Sequence, residues 1–245
     1  MSLSLPRVVG HRGAARRAPE NTLAGLRKAR ELGCTWVEFD VKLTADRQLI
    51  LMHDDTLDRT TNGRGPVAQT ALAEIRELDA GAWFDPSFLG ERVPTFEQAV
   101  SLLAELDLGA NIEIKPCPGR ERETARAVAA ATRALWPSHL PEPILSSFSI
   151  ASLAAANSEA PELLRGLLVV TPMPDWRKQL RDLDCIGLHA AHDKLTPDVA
   201  QAVKREGFLL MAFTVNDLPR ARTLWSWGVD SVHSDAPDLL LSSAP

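Results

Sequence analysis

Glu38 and Asp40 stand two residues apart in the run WVEFDVKL at 36–43. Their neighbours Trp36, Val37, Phe39, Val41 and Leu43 are apolar and β-prone. Side chains i and i+2 of a strand share one face, so two carboxylates would leave a buried strand in the same direction. Charge is costly there unless it is paired or bound to metal. The run NIEIK at 111–115 repeats the spacing with Glu113 and Lys115. His11-Arg12 follows the apolar RVVG, and His53-Asp54 follows QLILM. Three carboxylates form an all-oxygen set that suits a hard divalent cation, Mg²⁺ or Ca²⁺, better than zinc. A cation flanked by Arg12 and Lys115 suits a phosphate, and two histidines suit acid and base work near neutral pH.

These residues meet only if the chain brings several strand ends together. Strand-like runs fall at 7–11, 35–43, 48–53, 110–115, 143–148, 164–170, 185–189, 208–215 and 229–233. Helices fall between most of them. Residues 22–32 carry Leu23, Leu26, Ala29 and Leu32 on one side and stop at Gly33. Residues 96–106 follow Thr95, with Gln98 at the capping-box spacing. An Ala- and Arg-rich helix spans 120–135. One over 197–206 opens on Thr196-Pro197, and one over 218–227 opens after Asn216-Asp217. Repeated β-then-α units predict an α/β fold, a (β/α)8 TIM-type barrel, with the polar residues at the C-terminal strand ends where barrel active sites sit. Ser147-Phe148 and Thr214-Val215-Asn216 end two further strands at that mouth.

Two places break the alternation. LTADRQ between Val41 and Ile50 leaves no room for a helix, so 36–43 and 48–53 read as a hairpin. A turn flanked by residues 45 and 48 would pair Asp40 with His53. Residues 55–93 are turn-rich, with one short helical piece near 70–78, and excursions of this length are usually functional. The expected organisation is a single catalytic barrel domain over 1–245 with 55–93 as a small insertion after the His53 strand.

The chain has 245 residues, 45% of them hydrophobic, enough for one large core. A net charge of −5 offers no basic face to nucleic acid. Cys34, Cys117 and Cys185 are odd in number and lack a C-x-x-C spacing, which argues against a disulfide framework and fits a reducing compartment. The opening MSLSLPRVVGHRG has no basic head followed by an apolar stretch, so no signal peptide is expected, and no apolar run is long enough to span a membrane. The expected location is cytoplasmic, with no stable membrane insertion; the oligomeric state is left open.

The pieces GHRG (10–13), PENT (19–22), VEFDVKLTAD (37–46), LMHDDTLDRTTNGRG (51–65), WF (83–84), VPTFEQA (93–99), IEIK (112–115), FTVND (213–217) and GVDSVHSDAPD (228–238) run in order across nearly the whole chain. In this order they resemble the glycerophosphodiester phosphodiesterase family, whose barrel is related to that of phosphatidylinositol-specific phospholipase C. The resemblance implies metal-dependent hydrolysis of small-molecule glycerophosphodiesters to sn-glycerol 3-phosphate and an alcohol. It implies Glu38, Asp40 and Glu113 as metal ligands, His11 and His53 as the catalytic pair, with His53 as the acid by analogy, and Arg12 and Lys115 as phosphate contacts. The nucleophile is either a water or the glycerol 2-hydroxyl. The chain departs from the family at Phe213, where Trp is usual, and at His233, where an apolar residue is usual.

Asp54, beside His53 at the end of the return strand, reads either as part of the mouth or as an ordinary turn residue. The remaining polar residues read as structural, and Asn21 and Asn216 fit helix caps. His139, His189, His192 and His233, and the tryptophans at 136, 176, 225 and 227, read as packing, and the cysteines as buried small hydrophobes. Two rival functions are a membrane-surface phospholipase on the same barrel, using Trp83, Phe84, Phe88 and Leu89, and a catalytically dead scaffold. The second would have lost a histidine or an acidic ligand, and none is missing.

Overall fold

The computed structural model describes residues 5–242. Nine strands form one sheet: β1 (Val8–Gly10), β2 (Trp36–Leu43), β3 (Leu49–Leu51), β4 (Gly109–Ile114), β5 (Ile144–Ser147), β6 (Leu164–Val169), β7 (Gly187–Ala191), β8 (Leu209–Phe213) and β9 (Ser231–Ser234). Eight of them, all but β3, run parallel in the order 1-9-8-7-6-5-4-2, and β1 also pairs with β2. That last pairing, Gly10 with Val37, closes a (β/α)8 barrel. β2 is buried along its whole length because the barrel interior lies on one side and helices on the other.

The helices are α1 (Leu23–Glu31), α2 (Leu72–Ile75), α3 (Phe96–Leu106), α4 (Glu121–Leu135), α5 (Ile150–Glu159), α6 (Trp176–Asp182), α7 (Pro197–Arg205), α8 (Leu218–Ser226) and α9 (Asp238–Leu241). Their starts follow the local chemistry. Thr95 and Gln98 cap α3 reciprocally, Thr196 caps α7 before Pro197, and Asp217 caps α8. α1, α3 and α4 bury Leu26, Phe96, Leu103 and Val128 against the outer face of β2 and β4. A second apolar layer built on Trp176, Leu180, Val203 and Leu224 covers the other half of the ring. Inside, Val9, Trp36, Ile144 and Met211 plug the N-terminal end of the barrel.

The expected seventh strand at 185–189 begins two residues later. The Cys185 amide is engaged by the Leu180 carbonyl of α6, so the ladder starts after it. The hairpin register also differs from expectation. Val41 faces Leu51 and Leu43 faces Leu49. The Met52 amide, not His53, bonds the Asp40 carbonyl at 3.0 Å. The turn holds three residues rather than two: the Thr44 amide bonds the Gln48 carbonyl at 3.0 Å, and Arg47 takes the left-handed conformation at φ 61°. His53 thus lies one step beyond the expected pairing.

Between β3 and α3, residues 55–93 leave the barrel and return to it. The Leu51 amide bonds the Pro94 carbonyl at 3.0 Å, so the excursion begins and ends on the same strand. It carries α2 and short 3₁₀ turns at Val67–Gln69 and Pro86–Phe88. Leu57, Val67, Leu72, Ile75, Ala80 and Val93 give it a small core that packs on Ile50, Met52 and Cys117.

Candidate active site

The first turn after β1 is set by steric necessity. Gly13 has φ 86°, and a Cβ there would lie 2.5 Å from the backbone of Gly25. Arg12 is itself left-handed at φ 50°, and its amide points back to the Glu38 carboxylate, Oε2 accepting at 2.9 Å. His11 is held from the far end of the chain. Its Nδ1 lies 2.6 Å from Asp235 Oδ1, and its Nε2 lies 3.7 Å from Glu38 Oε2. The Arg12 guanidinium bonds Glu20 at 2.8 Å and brings Nε within 3.3 Å of Asp40 Oδ2.

β2 and β4 deliver the acids. Asp40 and Glu113 are register partners, and Glu38 sits one pleat deeper beside Asn111. One oxygen from each of Glu38, Asp40 and Glu113 can be chosen so that all lie within 4.8 Å of one another. Lys115 Nζ bonds Glu113 at 2.7 Å and lies 3.7 Å from Asp40. Burial pushes Glu38 well above the usual carboxylate range, and the charges of Asp40 and Glu113 add to the push. Burial, with the Asp40 charge, also raises Glu113 to about 7 despite Lys115. Burial acts on Asp40 as well, but Arg12, Lys115, His53 and the Asn21 amide outweigh it and hold that carboxyl at about 2. Glu38 Oε1 is buried with no protein partner among the described residues. A hard divalent cation would satisfy that oxygen and relieve the mutual repulsion, so the three acids fit one.

His53 reaches the same space from β3. Its Nδ1 lies 2.7 Å from Asp54 Oδ1, and Arg59 in the insertion grips both Asp54 oxygens at 2.7 and 2.9 Å. The other edge of Arg59 donates twice to Glu20, at 2.8 Å each. Burial, and the cations Arg12 and Lys115, lower the His53 pKa against the pull of Asp40 and Asp54. His11, Arg12, Glu38, His53, Glu113 and Lys115 line one cavity of about 260 Å³, walled by Phe148, Leu168 and Phe213. Asp40 is screened from it, its carboxylate held by Arg12, Lys115 and Asn21.

The sequence therefore named the seven charged residues that the fold brings together, but it misjudged their supports. Asn21 caps nothing; Thr22 is the cap of α1. Asn21 instead clamps Asp40, its Nδ2 donating to Oδ2 at 2.9 Å and its Oδ1 accepting the Asp40 amide at 3.0 Å. Asn216 is likewise no cap. Its Nδ2 donates to Asp235 Oδ2 at 2.8 Å, and its Oδ1 accepts the Asp235 amide at 2.8 Å. Asp54, for which a place at the mouth and an ordinary turn were both open, holds His53. Glu20, Arg59 and Asp235 carried no expected role, although all three lie in the motifs quoted above. Lys42, the third same-face polar residue of β2, is buried and donates to Asp55 at 2.7 Å.

A closed (β/α)8 barrel whose mouth joins an acid cluster that fits a hard cation, two cationic side chains and two carboxylate-braced imidazoles defines a class: a barrel hydrolase of phosphodiesters. The family model described as the glycerophosphoryl diester phosphodiesterase family matches residues 11–239, and the chain belongs to that family. It is 35% identical over 240 residues to the glycerophosphodiester phosphodiesterase of Caldanaerobacter subterraneus subsp. tengcongensis, covering 96% of each chain. A phosphodiesterase from Oleispira antarctica, solved in complex with the product sn-glycerol-3-phosphate, superposes with a TM-score of 0.95 at 39% identity, covering 97% of this chain and 96% of that one. The glycerophosphodiester phosphodiesterase of Agrobacterium tumefaciens gives 0.83 at 32% identity, covering 97% and 100%.

Proposed function

We propose that the chain hydrolyses glycerophosphodiesters to sn-glycerol 3-phosphate and an alcohol, with Glu38, Asp40 and Glu113 holding a divalent metal, Mg²⁺ or Ca²⁺, and His11 and His53 acting as the acid/base pair. The observation that carries this reading is the unpartnered Glu38 Oε1 inside a buried three-carboxylate cluster, with both imidazoles lining the same cavity. Membership of the family and the product named for the Oleispira antarctica relative supply the substrate class.

The metal would supply Lewis-acid polarisation of a phosphoryl oxygen. Arg12 and Lys115 orient the phosphate and spread the charge that builds on it in the transition state. Both histidines spend Nδ1 on a carboxylate, His11 on Asp235 and His53 on Asp54. That leaves Nε2 of each as the working atom, in a fixed tautomer. One Nε2 takes the proton of the nucleophile, a water or the glycerol 2-hydroxyl, and the other gives a proton to the departing alkoxide, each worth roughly 10²–10⁴-fold. The three cysteines are free and buried, which suits a reducing, cytoplasmic setting. No helix among the described residues is long and apolar enough to cross a membrane. We read residues 1–245 as one catalytic domain, with 55–93 built into it as a support for His53.

Turnover of glycerophosphocholine should vanish after dialysis against chelator and return with Mg²⁺ or Ca²⁺. Full activity in excess EDTA would remove the metal from the reading. Glu38→Gln keeps the shape but removes a charged ligand, so titration calorimetry should find metal affinity weakened more than affinity for phosphate.

A further inference from the structure

His233 reads as packing in the sequence, and the mechanism above makes no use of it. Its surroundings give it more to do. It is 2% exposed, lines the catalytic cavity, and its Nε2 has no protein partner among the described residues. β9 runs beside β1 with Val9 opposite His233 and Gly10 opposite Ser234. His233 therefore lies one layer below the His11–Asp235 pair, at the floor of the cavity. Asn111 lies opposite Glu38 on β4, two residues before Glu113 on the same face. It is 1% exposed and also lines the cavity. Its Nδ2 is spent on Ser146 Oγ at 3.0 Å, and its Oδ1 has no partner among the described residues.

The His233 ring is held firmly. It stacks under His11 at 6.5 Å between centroids, and His189 meets it edge-on at 5.9 Å and 83°. His189 is itself wedged against Gly166, where any Cβ would fall 2.4 Å from its Nε2. Met211 faces Ser231 and Ala212 faces Val232, so the same register sets Phe213 beside His233. The two departures noted in the sequence are thus neighbours on the wall and floor of one cavity.

A buried donor or acceptor left unpaired costs about 1–3 kcal/mol, and two such atoms at the closed end of a substrate cavity point to a ligand that pairs them. Asn111 Oδ1 only accepts, so it opposes a phosphate or carboxylate oxygen placed against it. Burial, reinforced by the neighbouring histidines, keeps His233 neutral, so it offers no charge to an anion either. A hydroxyl both donates and accepts, and matches both atoms. We propose that His233 and Asn111 form a hydroxyl-binding floor that recognises the free glycerol end of the substrate, with His233 as a specificity-determining residue. This rests on the glycerophosphodiester reading above. The closed polar end takes the invariant glycerol, while the variable alcohol leaves between Phe148 and Phe213 toward the mouth.

The test is calorimetry with divalent metal present, on the wild-type protein and on His233→Val, using sn-glycerol 3-phosphate and inorganic phosphate. The variant should lose about tenfold or more in affinity for the glycerol ester, with phosphate affinity changed by less than about threefold. Kinetics supply the second arm. Wild type should prefer glycerophosphocholine over 2-hydroxypropyl phosphocholine, which lacks only the terminal hydroxyl, by about tenfold or more in kcat/KM. In His233→Val that preference should collapse, chiefly through KM. Equal loss of affinity for both ligands, or an unchanged preference in the variant, overturns the proposal. His233→Gln, which restores a polar group of similar reach, guards against misfolding of the valine variant and should recover part of the preference; no recovery in a folded glutamine variant also counts against it. A wild type that binds sn-glycerol 3-phosphate through this floor yet turns over no glycerophosphodiester would refute the hydrolase reading while leaving the floor standing.

Discussion

At the scale of single residues, the site is a compromise between acids that repel one another and cations that hold them. Glu113 is raised from 4.5 to about 7 by burial and by Asp40. A carboxyl raised in this way favours the folded state while it is protonated. That contribution is complete below the unfolded value of 4.5 and lost as pH climbs through 7. Glu38 shifts in the same direction. Above neutrality the metal-free cluster therefore costs stability, and a divalent cation that replaces the protons should return it. Differential scanning fluorimetry should find Mg²⁺ or Ca²⁺ raising Tm more at about pH 8 than at about pH 5, and a cation effect independent of pH would argue against cation binding at these acids. His11→Ala and His53→Ala should each lower kcat by about 10²–10⁴-fold with native circular dichroism, because both side chains sit at strand ends and neither fills the apolar core. Retention of more than about a tenth of the wild-type rate would deny the altered residue its acid/base role.

At the scale of elements, the return strand and its insertion decide where His53 points. Arg59 bridges Asp54 to Glu20 with four hydrogen bonds, and Glu20 in turn holds Arg12. One exposed side chain of the insertion thus ties together the brace of His53 and the cavity-lining Arg12. Arg59→Ala should cut kcat about tenfold, about 1.4 kcal/mol of barrier, and shift the pH profile of kcat/KM, while metal affinity by calorimetry stays near wild type. A loss that appears only in metal affinity would place Arg59 elsewhere. The elements themselves were largely readable. Period-two spacing exposed Glu38/Asp40 and Glu113/Lys115, and cap signals placed the starts of α3, α7 and α8. The hairpin register was not readable, because the left-handed position of its three-residue turn is filled by Arg47 and not by the usual glycine or asparagine. Asn21, Asn216 and Asp235 were equally hidden. Their partners lie 19 to 224 residues away, and local pattern carries no information about such contacts.

At the scale of the whole molecule, the barrel separates a closed polar floor from an open mouth. No tyrosine exists in the chain to build an aromatic cage for a quaternary ammonium. The choline and ethanolamine esters of glycerophosphate should therefore differ by less than about tenfold in kcat/KM, measured by product assay. A larger preference would mean that the mouth reads the head group. In the insertion, Trp83 and Phe88 each pack edge-on against Phe84, and the neighbouring Leu89 is 75% exposed. The contact that completes the site spans nearly the whole chain: His11 and Asp235 are separated by 224 residues. β1 can find β9 only after the ribosome has released nearly everything between them. A nascent or refolding chain could assemble the acid cluster from β2 and β4 early, while its first histidine still lacks a brace. Ring closure is a high-contact-order event and belongs late in the folding sequence. In refolding from urea, enzymatic activity should accordingly lag the return of far-ultraviolet ellipticity, so the enzyme's own turnover becomes a clock for the moment at which its two ends meet.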